Sequence, residues 1–179
     1  MKNKHLIYIY FLTLILFACE KDDICAEGSA VTPLLILTFY DETNPTEKKT
    51  VDNLYVVGYN SDNQIVTFAS TGEETRDSIL VPLRTDVNIT KIGFHRDYEI
   101  DDNDTPDDTS DDIILGNEDL IDFGYTRSDV YVSRACGFIA NYLDLVSNLE
   151  EDSDNWILNT EIIKENVENE LEAHVKIYH

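Results

Sequence analysis

The chain sets 13 lysines and arginines against 36 aspartates and glutamates in 179 residues, a formal net charge of −23 at neutral pH. A surface this acidic repels nucleic acid and anionic lipid and attracts cations, so nucleic acid is excluded as a partner. The length suits one domain with a core of its own.

Residues 1–18 read as a signal peptide, with Lys2 and Lys4 ahead of a largely apolar stretch from Leu6 to Phe17. About twelve residues rise roughly 18 Å as a helix, well short of the roughly 30 Å of a bilayer core, so the stretch does not span. Leu16-Phe17-Ala18-Cys19 resembles a bacterial lipobox, which implies that the chain is cut before Cys19 and that Cys19 is acylated. The alternative is a simple secreted chain with a free Cys19. Each buried acyl CH₂ contributes about 0.8 kcal/mol, so two or three chains anchor stably. Losing Lys2 and Lys4 with the signal takes the net charge from −23 to −25. Glu20-Lys21-Asp22-Asp23 is similar to the lysine-plus-acids signal that sends Bacteroidetes lipoproteins to the outer face of the outer membrane, which would make Lys21, Asp22 and Asp23 an export label. An ordinary hydrophilic tether is the competing reading.

Three cysteines in an exported chain leave one unpaired unless it is otherwise used, and an acylated Cys19 leaves Cys25 and Cys136. In an oxidising compartment these two are expected to pair, closing a loop of about 110 residues worth on the order of 4–5 kcal/mol; two free buried thiols are the alternative.

Residues 19–32 read as a lipidated tether and residues 33–179 as one domain. From Pro33 onward the apolar pattern has period two without a sustained helical period. Strands are predicted at Leu34–Tyr40, Asn53–Tyr59, Gln64–Ala69, Ser78–Arg84, Asn88–Arg96, Leu120–Thr126, Val130–Tyr142, Trp156–Lys164 and Glu172–Tyr178. Asn60-Ser61-Asp62-Asn63 is turn chemistry for a hairpin, and Glu165 to Leu171 joins the last two strands. Ile121, Phe123 and Tyr125 alternate with Asp122 and Gly124, one face in and one out. Pro82 cannot donate to a ladder and places its strand at an edge. Leu143–Leu149 is ambiguous between strand and helical turn. Many short strands with polar turns and no alternating helices predict an all-β fold, an antiparallel β-sandwich of immunoglobulin-like or transthyretin-like kind.

Residues 97–112, DYEIDDNDTPDDTSDD, carry nine acidic side chains in sixteen and read as a solvated loop between two strands. Closely spaced aspartates suit calcium, which takes six to eight oxygens, so Asp102, Asp104, Asp107, Asp108 and Asp111 are candidate calcium ligands. The run, with Asp112, resembles aspartate-rich calcium repeats of extracellular proteins yet lacks the glycine that folds such a loop round an ion, and an EF-hand fails at Pro106 and Ile113. The competing reading is a polar insertion that binds nothing, and no cofactor is expected otherwise.

No GxSxG, HExxH, glycine-rich phosphate loop or CxxC is present, so no enzyme class is selected. The histidines after the signal are His95, His174 and His179. A hydrolase would need polar groups converging on His95 or His174. Displayed aromatic side chains could stack on glycans, although most must fill the core. Asp77-Ser78-Ile79 resembles the acceptor triplet for O-glycosylation in Bacteroidetes.

Cys19-Glu-Lys-Asp-Asp-Ile-Cys25, Tyr131-Val-Ser-Arg-Ala-Cys136-Gly-Phe and His174-Val-Lys-Ile-Tyr-His179 together look like a family of small Bacteroidetes lipoproteins of unknown function. The resemblance implies the lipid anchor and the Cys25–Cys136 pairing, and no activity. The expectation is a non-catalytic binding or structural module anchored by lipid in the outer membrane, facing the cell surface, with an envelope protein or a glycan as partner. The alternative is a calcium-dependent or glycan-binding surface domain using residues 101–112, with an envelope hydrolase behind it.

Overall fold

A computed structural model describes residues 24–68, 74–108 and 110–179; the signal peptide, Cys19 and Lys21-Asp22-Asp23 lie outside the described residues. Eleven strands and no helix are found among the described residues: β1 (Leu35–Asp41), β2 (Asn44–Lys48), β3 (Val51–Tyr59), β4 (Ile65–Thr67), β5 (Glu74–Arg76), β6 (Ser78–Val81), β7 (Ile89–Asp101), β8 (Ile113–Ser133), β9 (Gly137–Leu149), β10 (Asn159–Ile162) and β11 (Val175–Tyr178).

The strands form two packed sheets, an all-β sandwich. One runs β10-β11-β1-β2 with β6 also on β1; the other runs β4-β3-β7-β8-β9 with β5 also on β3. Pairing is mostly antiparallel, but β1 and β11 are parallel, Leu37 opposite Val175 and Tyr40 opposite Tyr178. The first and last strands are far apart in sequence, so no hairpin dictates their relative direction. Among the described residues β6 pairs with β1 alone, and it stops at Val81, immediately before Pro82, as an edge strand should.

Leu35, Leu37 and Phe39 of β1 and Val175 and Ile177 of β11 face Leu54 and Val56 of β3, Ile92 and Phe94 of β7 and Ile121 and Phe123 of β8 in one core. Strict alternation would not deliver all of it. Val51 and Leu54 are both buried although three residues apart, because Asn53 takes a left-handed φ of 42° and the register with β5 shifts there. Tyr142 and Leu145 repeat the pattern around Asp144, with φ of 55°. In β7 the register shifts between Arg96 and Glu99, with Asp97 at φ 54°. A single extra residue in one strand reverses the faces beyond it, and Asn and Asp are the side chains that tolerate that backbone at least cost. Gly116 sits opposite the Asp97 kink at φ 99°, where a Cβ would lie 2.5 Å from the Arg96 carbonyl oxygen.

Some sequence expectations change: β7 runs on past the Asp97 kink to Asp101, so the loop expected over residues 97–112 begins at Asp102. The strand expected over Val130–Tyr142 is the end of β8, a turn at residues 134–136 and the start of β9. Gly137 takes φ 73° and the Ser133 hydroxyl accepts from Cys136 N at 3.0 Å; the turn hides in sequence because apolar β-formers flank it closely on both sides. Leu143–Leu149 is strand, the second half of β9. β2 and β5 were not expected, being short and polar: all five β2 residues are exposed, and β2 exists by pairing with β1. The Asn60–Asn63 hairpin forms as expected, the Asn60 side chain accepting from Asp62 N and Gln64 N at 2.9 Å.

The described residues fall into two compact units. Thr32–Asp129 with Ala140–His179 holds the sandwich core. Residues 24–31 with Val130–Ile139 form the smaller one, joined by the Cys25–Cys136 disulfide with Cα atoms 4.7 Å apart. Among the described residues no helix is long and apolar enough to cross a membrane.

Candidate functional site

The six-stranded sheet turns its second face away from the core, and strand register sets the rows of side chains on it. His95 on β7 lies between Tyr55 on β3 and Glu118 on β8; the next row places Gly93 between Val57 and Leu120. The Asp97 kink returns Tyr98 to the same face, where its ring stacks on Tyr55 at 4.3 Å and meets His95 edge-on at 5.5 Å. Glu118 Oε1 lies 3.2 Å from His95 Nε2 and accepts the Tyr59 hydroxyl at 2.6 Å. The carboxylate reaches Tyr59 by crossing Gly93, where a Cβ would stand 2.1 Å from that oxygen. Gly93 is therefore the gap through which the cluster closes.

Burial acts to raise the Glu118 carboxyl, but the hydrogen bonds from His95 and Tyr59 outweigh it and hold the group below its ordinary value. Burial, reinforced by the Glu118 carboxylate, pushes the Tyr59 hydroxyl far up and keeps it protonated. Such a tyrosine is a hydrogen-bond donor and not a nucleophile. Further along the face Lys91 pairs with Glu150. Beside Tyr59 opens an apolar cleft of about 310 Å³ lined by Gly58, Val66, Phe68, Leu83 and Thr90. The titratable groups of its described lining are Tyr59 and the Arg84–Asp86 ion pair at 2.5 Å.

His174 lies elsewhere, ahead of β11 in the other sheet, and is structural in its bonding. Its Nδ1 accepts from Ile36 N at 3.0 Å and its own N donates to the Ile36 carbonyl at 2.9 Å, so the ring is the neutral tautomer with the proton on Nε2. Burial lowers its pKa. His179 is lowered by burial as well, its ring edge-on to Trp156 at 5.5 Å. The hydrogen bonds of His95 and His174 close within separate sheets, and the structure does not bring the two into one site.

One buried acid was not foreseen. Asp119 of β8 points inward, fully buried, and its Oδ2 accepts from Ile157 N at 2.6 Å. Burial pushes its carboxyl up, against the amide bonds it accepts. It pins the segment before β10, together with Trp156 Nε1 donating to the Phe94 carbonyl at 3.2 Å.

The acidic loop, residues 102–112, closes a hairpin between β7 and β8, and three of its exposed carboxylates accept bonds from the loop itself. Asp102 Oδ1 accepts from Asp104 N, Asp108 Oδ1 from Ser110 N and its hydroxyl, and Asp111 Oδ1 from the Thr105 hydroxyl. Asn103 and Asp104 adopt left-handed φ of 50° and 62°. The carboxylates of Asp104 and Asp107 accept no such bond among the described residues, and both residues are exposed. Among the described residues no group of three or more His, Cys, Asp or Glu side chains converges to hold a metal ion. Ser78 of the proposed glycosylation triplet is half-buried in β6, its hydroxyl on Asp77 Oδ1 at 2.9 Å.

Of the cluster on the outer face, sequence reasoning singled out His95 and passed over Tyr59, Glu118 and Gly93. The available signal was Gly93 itself, a lone glycine inside a strand, which marks close approach of another group.

A family model described as a family of unknown function (DUF6452) matches residues 53–179, most of the chain, and the chain belongs to that family. No curated protein and no solved structure matches it.

Proposed function

From membership of a family of unknown function as the premise, we propose that the protein is a Bacteroidetes-type lipoprotein, held by lipid on Cys19 in the outer membrane and facing the cell surface, that serves as a non-catalytic binding or structural module of the envelope. The observation that carries the non-catalytic reading is that both candidate histidines are committed to hydrogen bonds, His174 to the Ile36 amide and His95 to Glu118, whose remaining partner is a tyrosine kept protonated. A general base or nucleophile must face a substrate, and both rings are buried, His95 8% and His174 2% exposed, with the Glu118 carboxylate beside His95 closed onto Tyr59. The lipobox-like Leu16–Cys19 and the Lys21-Asp22-Asp23 run support the address. The calcium-dependent reading is weaker, because loop carboxylates already satisfied by their own backbone would have to be rearranged to bind.

Protease digestion of intact cells, followed by immunoblotting against the folded domain with a periplasmic protein as leakage control, tests the address. Loss of the domain is the expected result. Survival until the outer membrane is broken refutes surface exposure, and a Cys19→Ser chain that stays membrane-bound refutes the lipid anchor.

A further inference from the structure

We infer that the smaller unit, residues 24–31 with Val130–Ile139, docks into the bilayer interface, so that the domain lies against the membrane instead of swinging on its tether. The inference rests on the reading of Cys19 as the lipid-bearing residue. Its first support is exposure: Phe138 is 68% exposed and Tyr131 58%, and the two rings meet edge-on at 5.3 Å, so they present one aromatic patch. Ile24 at 83% and Val31 at 73% are displayed by the same unit. Large apolar side chains gathered this densely in so short a stretch mark a surface that meets another apolar phase.

Charge supplies the second support. In a cleaved chain of net charge −25, the described residues of this unit carry one acid, Glu27, and one base, Arg134, and Glu20-Lys21-Asp22-Asp23 ahead of them add only −2. Arg134 is exposed and has no carboxylate partner among the described residues, which leaves its guanidinium free for a lipid phosphate. The acidic remainder of the chain is repelled by an anionic membrane surface far more strongly than these described residues, which carry no net charge. Tyrosine and phenylalanine beside an arginine are what the headgroup boundary favours.

Reach is the third. Cys19 precedes Cys25 by six residues, which span at most about 20 Å when extended. The disulfide fastens that short lead to the turn between Tyr131 and Phe138. An anchor at Cys19 therefore keeps Cys25 and the turn bonded to it within about 20 Å of the bilayer, at a high effective concentration that favours docking of even a weakly partitioning patch.

The test reconstitutes the full chain into phosphatidylcholine vesicles with and without bromine on the acyl chains near the headgroups, and compares Phe138→Trp with Leu171→Trp. Leu171 is 87% exposed in the larger unit, and the native Trp156 is buried and contributes the same background to both variants. The expected result is loss of about half of the added Phe138→Trp emission in brominated vesicles, with Leu171→Trp unaffected, as for a side chain lying some 5–10 Å into the boundary. Quenching of neither variant, or of both alike, overturns the inference. So does a Phe138→Trp emission that shifts blue without lipid: growth of the shift with protein concentration means that a second copy covers the patch, and no dependence on concentration means that another part of the same chain does. Mass analysis of the N-terminal peptide is read separately. An unacylated Cys19 with quenching retained refutes the lipid anchor and leaves the docking surface standing.

Discussion

Replacing both Cys25 and Cys136 with serine should cost much less stability than the length of the loop suggests. The two cysteines are 111 residues apart, and in the chain-entropy model a crosslink over such a loop disfavours the unfolded state by about 4.7 kcal/mol. That figure holds if the folded state keeps its shape without the bond. Here residues 24–31 bury little, with Ile24 and Val31 largely exposed, so once released they should fray as far as Thr32, whose hydroxyl accepts from Ala140 N at 3.0 Å. In the folded protein the disulfide then closes a path of only about eleven residues, worth about 2.8 kcal/mol on the same expression. The difference, about 2 kcal/mol, is the expected loss, equivalent to a fall in Tm of about 4–8 °C for a chain of this size. Equilibrium urea unfolding of the oxidised protein and the double variant measures it, and amide exchange over residues 24–31 reports the fraying. A loss above about 4 kcal/mol with those amides still protected would refute the argument, because the segment would then be held without its crosslink; a loss under about 0.5 kcal/mol would refute the entropic origin altogether.

Other outcomes follow from single groups. Because burial lowers the His174 pKa and its Nδ1 accepts the Ile36 amide, its contribution is complete above the unfolded value of about 6.5 and is lost as pH falls through the folded value; urea midpoints should drop from pH 7.5 to 5.5 more steeply in wild type than in His174→Asn. Gly93→Ala puts a Cβ where Glu118 Oε1 lies, so it should break the Tyr59–Glu118 bond, cost about 1.5–3 kcal/mol and bring the Tyr59 hydroxyl back toward its ordinary value in an ultraviolet titration; an unchanged tyrosine titration would contradict the geometry. Asp119→Ala strands the buried Ile157 amide and should destabilise by about 1–3 kcal/mol, whereas Asp119→Asn, which still accepts and carries no charge to bury, should cost less at pH 7 than at pH 4, since a carboxyl with a raised folded pKa penalises folding only where it is ionised. Millimolar calcium should neither release heat nor shift Tm; a saturable heat abolished by Asp108→Asn would restore the calcium reading.

Sequence alone determined the class of fold and most of its strands. Period-two runs such as Ile121, Phe123 and Tyr125 read directly as one buried face, Pro82 marked an edge, and the turn chemistry at Asn60–Asn63 placed a hairpin, because these signals act within a few residues. Cysteine arithmetic reached the Cys25–Cys136 pair for a similar reason, since chemistry and compartment limit the partners to very few. What it could not carry is everything that depends on one strand slipping past another. The kinks at Asn53, Asp97 and Asp144 each invert the faces beyond them, so counting by twos assigns Tyr98 to the wrong side and cannot see it stack on Tyr55. The parallel return of β11 beside β1 brings His174 to the Ile36 amide, and the register of β3, β7 and β8 alone brings Tyr59, Glu118 and His95 into one cluster over Gly93. Those contacts join residues dozens to more than a hundred positions apart, and no local pattern specifies them: they are fixed when the two sheets close on a shared core, the point at which burying the apolar faces selects one register among many.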